Sequence, residues 1–284
     1  MLRPHSLSTT IYRHLAGPLC FLLIFAATAS AASRDKRPIT KPKYDPDAPK
    51  VGLFEGIEQD VLGVQVILKD STGGNVIFEN KTDEVLTVEL PEAVVGVQVL
   101  PQGFGDELGL GTDTGGGGNS GGQNQQAGGG FGGGGLGGGG FGGGGLGGGG
   151  FFSIPPERKV RIPINTVCLE HGKKEPHPRV NYKLVPVTEV SDDPTLHELL
   201  KLVGTGKLDQ QSAQAAAWHL ANEMSWDELA AKKFERVRAP DTPYFSRAQL
   251  FTAQNIVSTS KQLAEQEEDE PAAPRRSRDR VSAR

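Results

Sequence analysis

Cysteine is almost missing from this sequence. Only Cys20 and Cys168 occur among 284 residues, so no disulfide framework can be built. Aromatic residues make up 6% and apolar residues 36%, a low share that glycine largely explains. The net charge of −4 is too mild to set up a field of one sign. No basic stripe with interleaved aromatics occurs, which excludes a nucleic-acid partner. Paired catalytic acids, a Ser-His-Asp set and a cofactor fingerprint are also missing, so the expectation is a non-enzymatic protein without a cofactor. One apolar run exists, and it is short.

That run, Leu19 to Ala32, follows a weakly basic stretch holding Arg3, Arg13 and His14. Ala29 and Ala31 supply the small residues a signal peptidase reads, and cleavage is expected after Ala31. A membrane span needs about 20 apolar residues. Residues 1–31 therefore read as a signal peptide, with a retained anchor as the alternative. Cys20 lies at the start of the run, the wrong place for a lipoprotein cysteine. The mature chain is expected in the cell envelope or outside the cell, without a membrane span.

Residues 32–50 are charged and proline-rich and read as a disordered arm. Residues 51–101 hold short Val-, Ile- and Leu-rich runs separated by turn residues. Val64, Val66 and Leu68 share one strand face, and Gly73–Gly74–Asn75 reads as a hairpin turn. Residues 102–150 hold most of the glycine. There Phe131, Leu136, Phe141, Leu146 and Phe151 recur every five residues, a period of neither strand nor helix. The segment reads as a flexible insertion, or as a tract whose Phe and Leu residues self-associate. Strand character returns over 151–190, with Pro163 and Pro186 suggesting edge strands. Two halves split by the insertion predict an antiparallel immunoglobulin-like β-sandwich in an α+β chain.

Residues 191–264 are helical in pattern. Asp193 followed by Pro194 opens one helix and Asp209 a second. Ser225-x-x-Glu228 and Ser246-x-x-Gln249 are capping boxes. Residues 265–284, an acidic block followed by a basic one, read as a disordered tail.

The chemistry left to weigh centres on Cys168. Cys168 and His171 have a ligand-like spacing and His177 lies near, but neither a paired cysteine nor a His-Glu-x-x-His pattern accompanies them, so no metal site is expected. The loop carrying His171, Lys173, Lys174, His177 and Arg179 is polar and stiffened by Pro176 and Pro178, a candidate for binding an anionic group. The expected partner is an envelope or extracellular protein or polysaccharide.

Gln214, Ala216 and Trp218, in "SAQAAAWHLAN", stand at the spacing of the Thr-Gln-x-Ala-Ile/Val-Trp block of bacterial thioester domains. The "VCLE" around Cys168 resembles the cysteine segment of that family, although Ala213 replaces its threonine. The resemblance implies that Cys168 is a thiol condensed with Gln214, giving an acyl electrophile that captures surface amines. The plainer alternative makes Cys168 a small buried hydrophobe and Gln214 a surface or capping residue. "VCLEHGKKEPHPR" followed by "LDQQSAQAAAWHLANEMSWDELAAK" also resembles a group of secreted proteins from planctomycete-type bacteria. That likeness implies export and a shared architecture, without an activity.

Overall fold

The computed structural model describes residues 37–99, 124–131, 150–234 and 240–269. The expected signal peptide and cleavage site, Leu136, Phe141 and Leu146, and the expected tail beyond Asp269 lie outside them. The chain is α+β with mostly antiparallel sheets.

Six strands close a barrel: β2 (Leu62–Asp70), β3 (Gly73–Asn80), β5 (Val94–Gln98), β6 (Ala127–Gly130), β8 (Lys159–Cys168) and β9 (Tyr182–Val185). Their order is β2-β3-β8-β6-β5-β9, and Val66 opposite Tyr182 completes the ring. A smaller sheet runs β1 (Lys50–Gly52), β4 (Leu86–Leu90), β7 (Gly150–Ile154), with β1 parallel to β4. A short helix α1 (Leu53–Glu58) follows β1 directly.

The immunoglobulin-like sandwich is thus replaced by a barrel. Two pairings cause the closure. Strand β9 bonds to both β5 and β2, and the glycine strand β6 fills the gap between β5 and β8. Closure leaves no open sheet edge where these strands pair.

Strand β6 corrects the expectation that all of 102–150 is a flexible insertion. Its glycines are required by close approach, because β8, the β4–β5 connection and helix α2 (Pro194–Gly204) all crowd them. A Cβ at Gly129 would stand 1.9 Å from the Asn165 carbonyl oxygen, and one at Gly130 2.4 Å from that of Glu92. At Gly128 it would meet the Leu200 methyls at 2.8 and 2.9 Å. Phe131, just beyond the strand, is buried in the barrel core, its ring 5.8 Å from that of Phe78. Five-residue spacing conceals this strand from any periodicity reading.

Two further expectations give way. Residues 37–50 are not a loose arm. Ile39 exchanges backbone hydrogen bonds with Lys159 and Arg161, the Lys43 carbonyl accepts from Ser153 N–H, and that of Pro49 accepts from Thr87 N–H. Few side chains are buried there, so backbone pairing to otherwise open strand edges holds the segment. The β2–β3 turn is made by Ser71 and Thr72, with Thr72 N–H and hydroxyl bonded to Asp70 Oδ1. Gly73 and Gly74 lie inside β3 instead. Pro163 sits where β8 has β3 as its only paired neighbour, consistent with a local edge.

The helices are α2 (Pro194–Gly204), α3 (Gln210–Ala221), α4 (Trp226–Ala231) and α5 (Arg247–Asp269). The side chain of Asp193 caps α2 by accepting from Thr195 N–H, and that of Asp209 caps α3 through Ser212 N–H. Reciprocal bonds of Ser225 with Glu228 and Ser246 with Gln249 form both expected capping boxes. A two-stranded ribbon, β10 (Lys233–Phe234) with β11 (Thr242–Pro243), precedes α5.

Helices α2 and α3 pack against the β6–β8 side of the barrel through a second core of Val95, Val167, Leu199, Leu200, Ala216 and Leu229. Helix α5 lies across both and extends past the expected boundary at 264. Lys201 explains the extra turn, since its ammonium reaches Glu198 at 2.5 Å, Glu267 at 2.7 Å and Glu92 at 3.5 Å. Burial works against that charge, but hydrogen bonds to Glu198 and Glu267 raise the Lys201 pKa above its ordinary value.

Candidate functional site

The last residues of β8 carry the site. Strand β3 accompanies β8 only as far as Asn165, and β6 flanks the opposite edge from Asn165 to Cys168. One edge of β8 is therefore without a strand neighbour beyond Asn165. The Thr72 carbonyl takes the Thr166 N–H there, and helix α3 supplies the rest with side chains.

The Gln214 carboxamide takes the place of a missing strand at Cys168. Its Oε1 accepts from Cys168 N–H at 2.9 Å, and its Nε2 donates to the Cys168 carbonyl at 2.8 Å. One turn earlier, Gln210 Nε2 donates to the Thr166 carbonyl at 2.8 Å. The spacing has a simple geometric cause. Four helical residues rise about 6 Å, and two strand residues about 6.6 Å. Glutamines at i and i+4 can therefore meet alternate residues along one strand edge. Ala213, Ala216 and Ala217 are small enough to let α3 come that close, and all are fully buried.

The pair that the thioester resemblance singled out, Cys168 and Gln214, is thus brought together. Gln214 is not a surface or capping residue; it is 5% exposed. Cys168 is 1% exposed and carries a free thiol. Burial pushes that thiol up to about 12, with the carboxylates of Glu175, Asp70 and Glu170 adding to the effect. At neutral pH the sulfur is protonated and a poor nucleophile. Across the strand pair, Cys168 faces Ala127. Gln210 escaped the sequence reading, although its i, i+4 relation to Gln214 was the available signal.

The candidate loop begins two residues later. His171, Lys173, Lys174, His177 and Arg179 are all exposed, while Pro176 between them is buried. The loop backbone is nonetheless held. Asn124 Nδ2 donates to the Glu175 carbonyl at 2.5 Å, and Gln125 Nε2 to that of Lys173 at 2.7 Å. Gln125 N–H donates to the Lys174 carbonyl at 2.8 Å. Within the loop, Lys173 pairs with Glu170 and Arg179 N–H donates to His177 Nδ1.

His171 belongs to a separate cluster. Its Nε2 lies 2.9 Å from Lys232 Nζ, and an ammonium can only donate, so Nε2 accepts and the ring is neutral. Burial, then the Lys232 charge, lowers the His171 pKa. Lys232 also lies over the rings of Trp218 and Tyr244, at 5.3 and 5.1 Å. The structure therefore separates His171 from the other cations of the loop and ties it to the α4–β10 connection. Among the described residues no group of three His, Cys, Asp or Glu could hold a metal ion. No described helix is long and apolar enough to cross a membrane.

Comparison with known protein families, curated proteins and solved structures finds no match.

Proposed function

We propose that this is an exported, non-enzymatic interaction protein of the cell envelope or extracellular space, presenting the 173–179 loop to an anionic partner. The observation that carries the reading is a polar loop exposed at every residue but Pro176, yet fixed from beneath by Asn124 and Gln125. A pre-ordered loop loses little conformational freedom on binding. Lys174 and Arg179 project cationic groups from it, which suits an acidic polysaccharide or protein surface. The buried, protonated thiol supports a structural use of Cys168.

The reading is tested by binding to isolated envelope polysaccharide. Lys174→Glu with Arg179→Glu should weaken binding at least tenfold, and the wild type should lose affinity as salt rises. Retention of full affinity by the double variant would reject the loop as the contact surface.

One observation favours a second reading. The Gln214 carboxamide rests on the Cys168 backbone, which brings together the two residues whose condensation, thiol sulfur onto glutamine carbonyl carbon with release of ammonia, would form a thioester. A mature chain lighter by one ammonia would carry that thioester.

A further inference from the structure

Lys232 stands where several elements meet. Its N–H closes α4 by donating to the Glu228 carbonyl at 3.1 Å, and its own carbonyl takes the Tyr244 N–H at 2.9 Å, which joins the two residues flanking the β10–β11 ribbon. Its ammonium lies 5.3 Å from the Trp218 ring centroid, 5.1 Å from that of Tyr244 and 2.9 Å from His171 Nε2. These rings hold one another. His171 meets Trp218 edge-on at 4.8 Å, Trp218 and Tyr244 lie 5.6 Å apart, and Phe234 stacks on Tyr244 at 4.3 Å. Aromatic faces attract an ammonium through their quadrupole, and a neutral imidazole nitrogen adds a lone pair.

We propose that Trp218, Tyr244 and His171 form a cage for one ammonium group, that the chain fills it with its own Lys232, and that acid empties it. The cage holds Lys232 through the Nε2 lone pair as well as the ring faces. A proton on Nε2 removes that acceptor and sets a second cation against the first. His171 is exposed, so protons reach it from solvent. Lys232 is the group that yields. Its flexible stem delivers a strongly hydrated ammonium to water, whereas the backbone of His171 is tied by its N–H to Asn222 Oδ1 at 3.1 Å and its ring abuts buried Trp218. Loss of Lys232 from the cage frees the ribbon from α3.

The neighbouring titratable groups have other partners. On α3, His219 stacks on Trp226 and its Nδ1 lies 2.7 Å from the Met224 carbonyl. On α4, Glu228 bonds to Ser225. In the loop, Glu170 pairs with Lys173 and accepts from Gln126 N–H. Burial, then the Glu175 carboxylate, raises the Tyr244 pKa, so that ring stays uncharged. On the ribbon, Lys233 is exposed and Asp241 directly precedes β11. Burial and the Lys232 charge hold the His171 pKa below the ordinary histidine value of about 6.5. The closed cage is therefore complete above that value and is lost as pH falls through the lowered one.

Two measurements on the full chain test the cage. The imidazole signal of His171, identified by its loss in His171→Gln, is titrated by NMR in the wild type and in Lys232→Met. Removing the ammonium should move the His171 midpoint upward, toward the ordinary value. An unmoved midpoint would overturn the proposal. Hydrogen exchange of the Tyr244 N–H, corrected for intrinsic rates, then reports the ribbon. From about pH 7.5 to about pH 5 its protection should fall about fivefold or more in the wild type, the order of one lost hydrogen bond. In His171→Gln it should stay level, because the carboxamide oxygen accepts from Lys232 at either pH. In Lys232→Met it should be low at both. Constant protection in the wild type would overturn the proposal, as would an equal fall in either variant.

Discussion

Gly204→Val should unfold or loosen the helical layer, with a loss of about 3 kcal/mol or more. A Cβ at Gly204 would lie 2.7 Å from the Gly130 Cα and 3.1 Å from its nitrogen. Both are backbone atoms of β6, so no side chain can swing away. In most helices Gly→Ala gains roughly 0.5–1 kcal/mol. Here Gly204→Ala should have the opposite sign, because the clash outweighs the propensity gain. Urea unfolding followed by circular dichroism measures both variants. A stabilised Gly204→Ala protein would show that α2 does not rest on the glycine strand.

Gln214→Ala should cost about 2–5 kcal/mol. The substitution leaves the Cys168 N–H and carbonyl buried without partners, and each such group costs roughly 1–3 kcal/mol. Gln214→Glu should be nearly as damaging, because a carboxylate can accept from the N–H but cannot donate to the carbonyl. Gln210→Ala should cost less, since it removes one bond. In the double variant the losses should be non-additive, because both glutamines hold the same helix to the same strand edge. Unfolding midpoints with unchanged denaturant slopes would provide the comparison.

The sequence disclosed the elements better than it disclosed their assembly. Alternation in β2 and the caps at Asp193, Asp209, Ser225 and Ser246 are local signals, and each marks an element where it occurs. Strand β6 carries no local signal. Its glycines have poor strand propensity, and their reason for being there lies in Leu200, Gly204 and Glu92, remote in the chain. Without that stave the remaining strands suggested two stacked sheets. Ordering of residues 37–50 was hidden for a related reason, because their contacts are made by backbone and leave no pattern of side chains.

The site was legible in part. Cys168 and Gln214 were paired by family resemblance, and the structure brings them into contact through backbone hydrogen bonds. The resemblance could not foresee that geometry, because the need for it arises from β3 ending at Asn165. His171 was grouped with the loop cations on proximity in sequence, whereas Lys232 and Trp218 hold it elsewhere.

The intact mass of the mature chain, combined with alkylation, tests the hydrogen-bonded role of Gln214 most directly. The account predicts full mass, no reaction of native Cys168 with iodoacetamide faster than the chain unfolds, and one adduct after denaturation. A native chain lighter by one ammonia, restored in mass by methylamine and unable to form in Cys168→Ala, would contradict it.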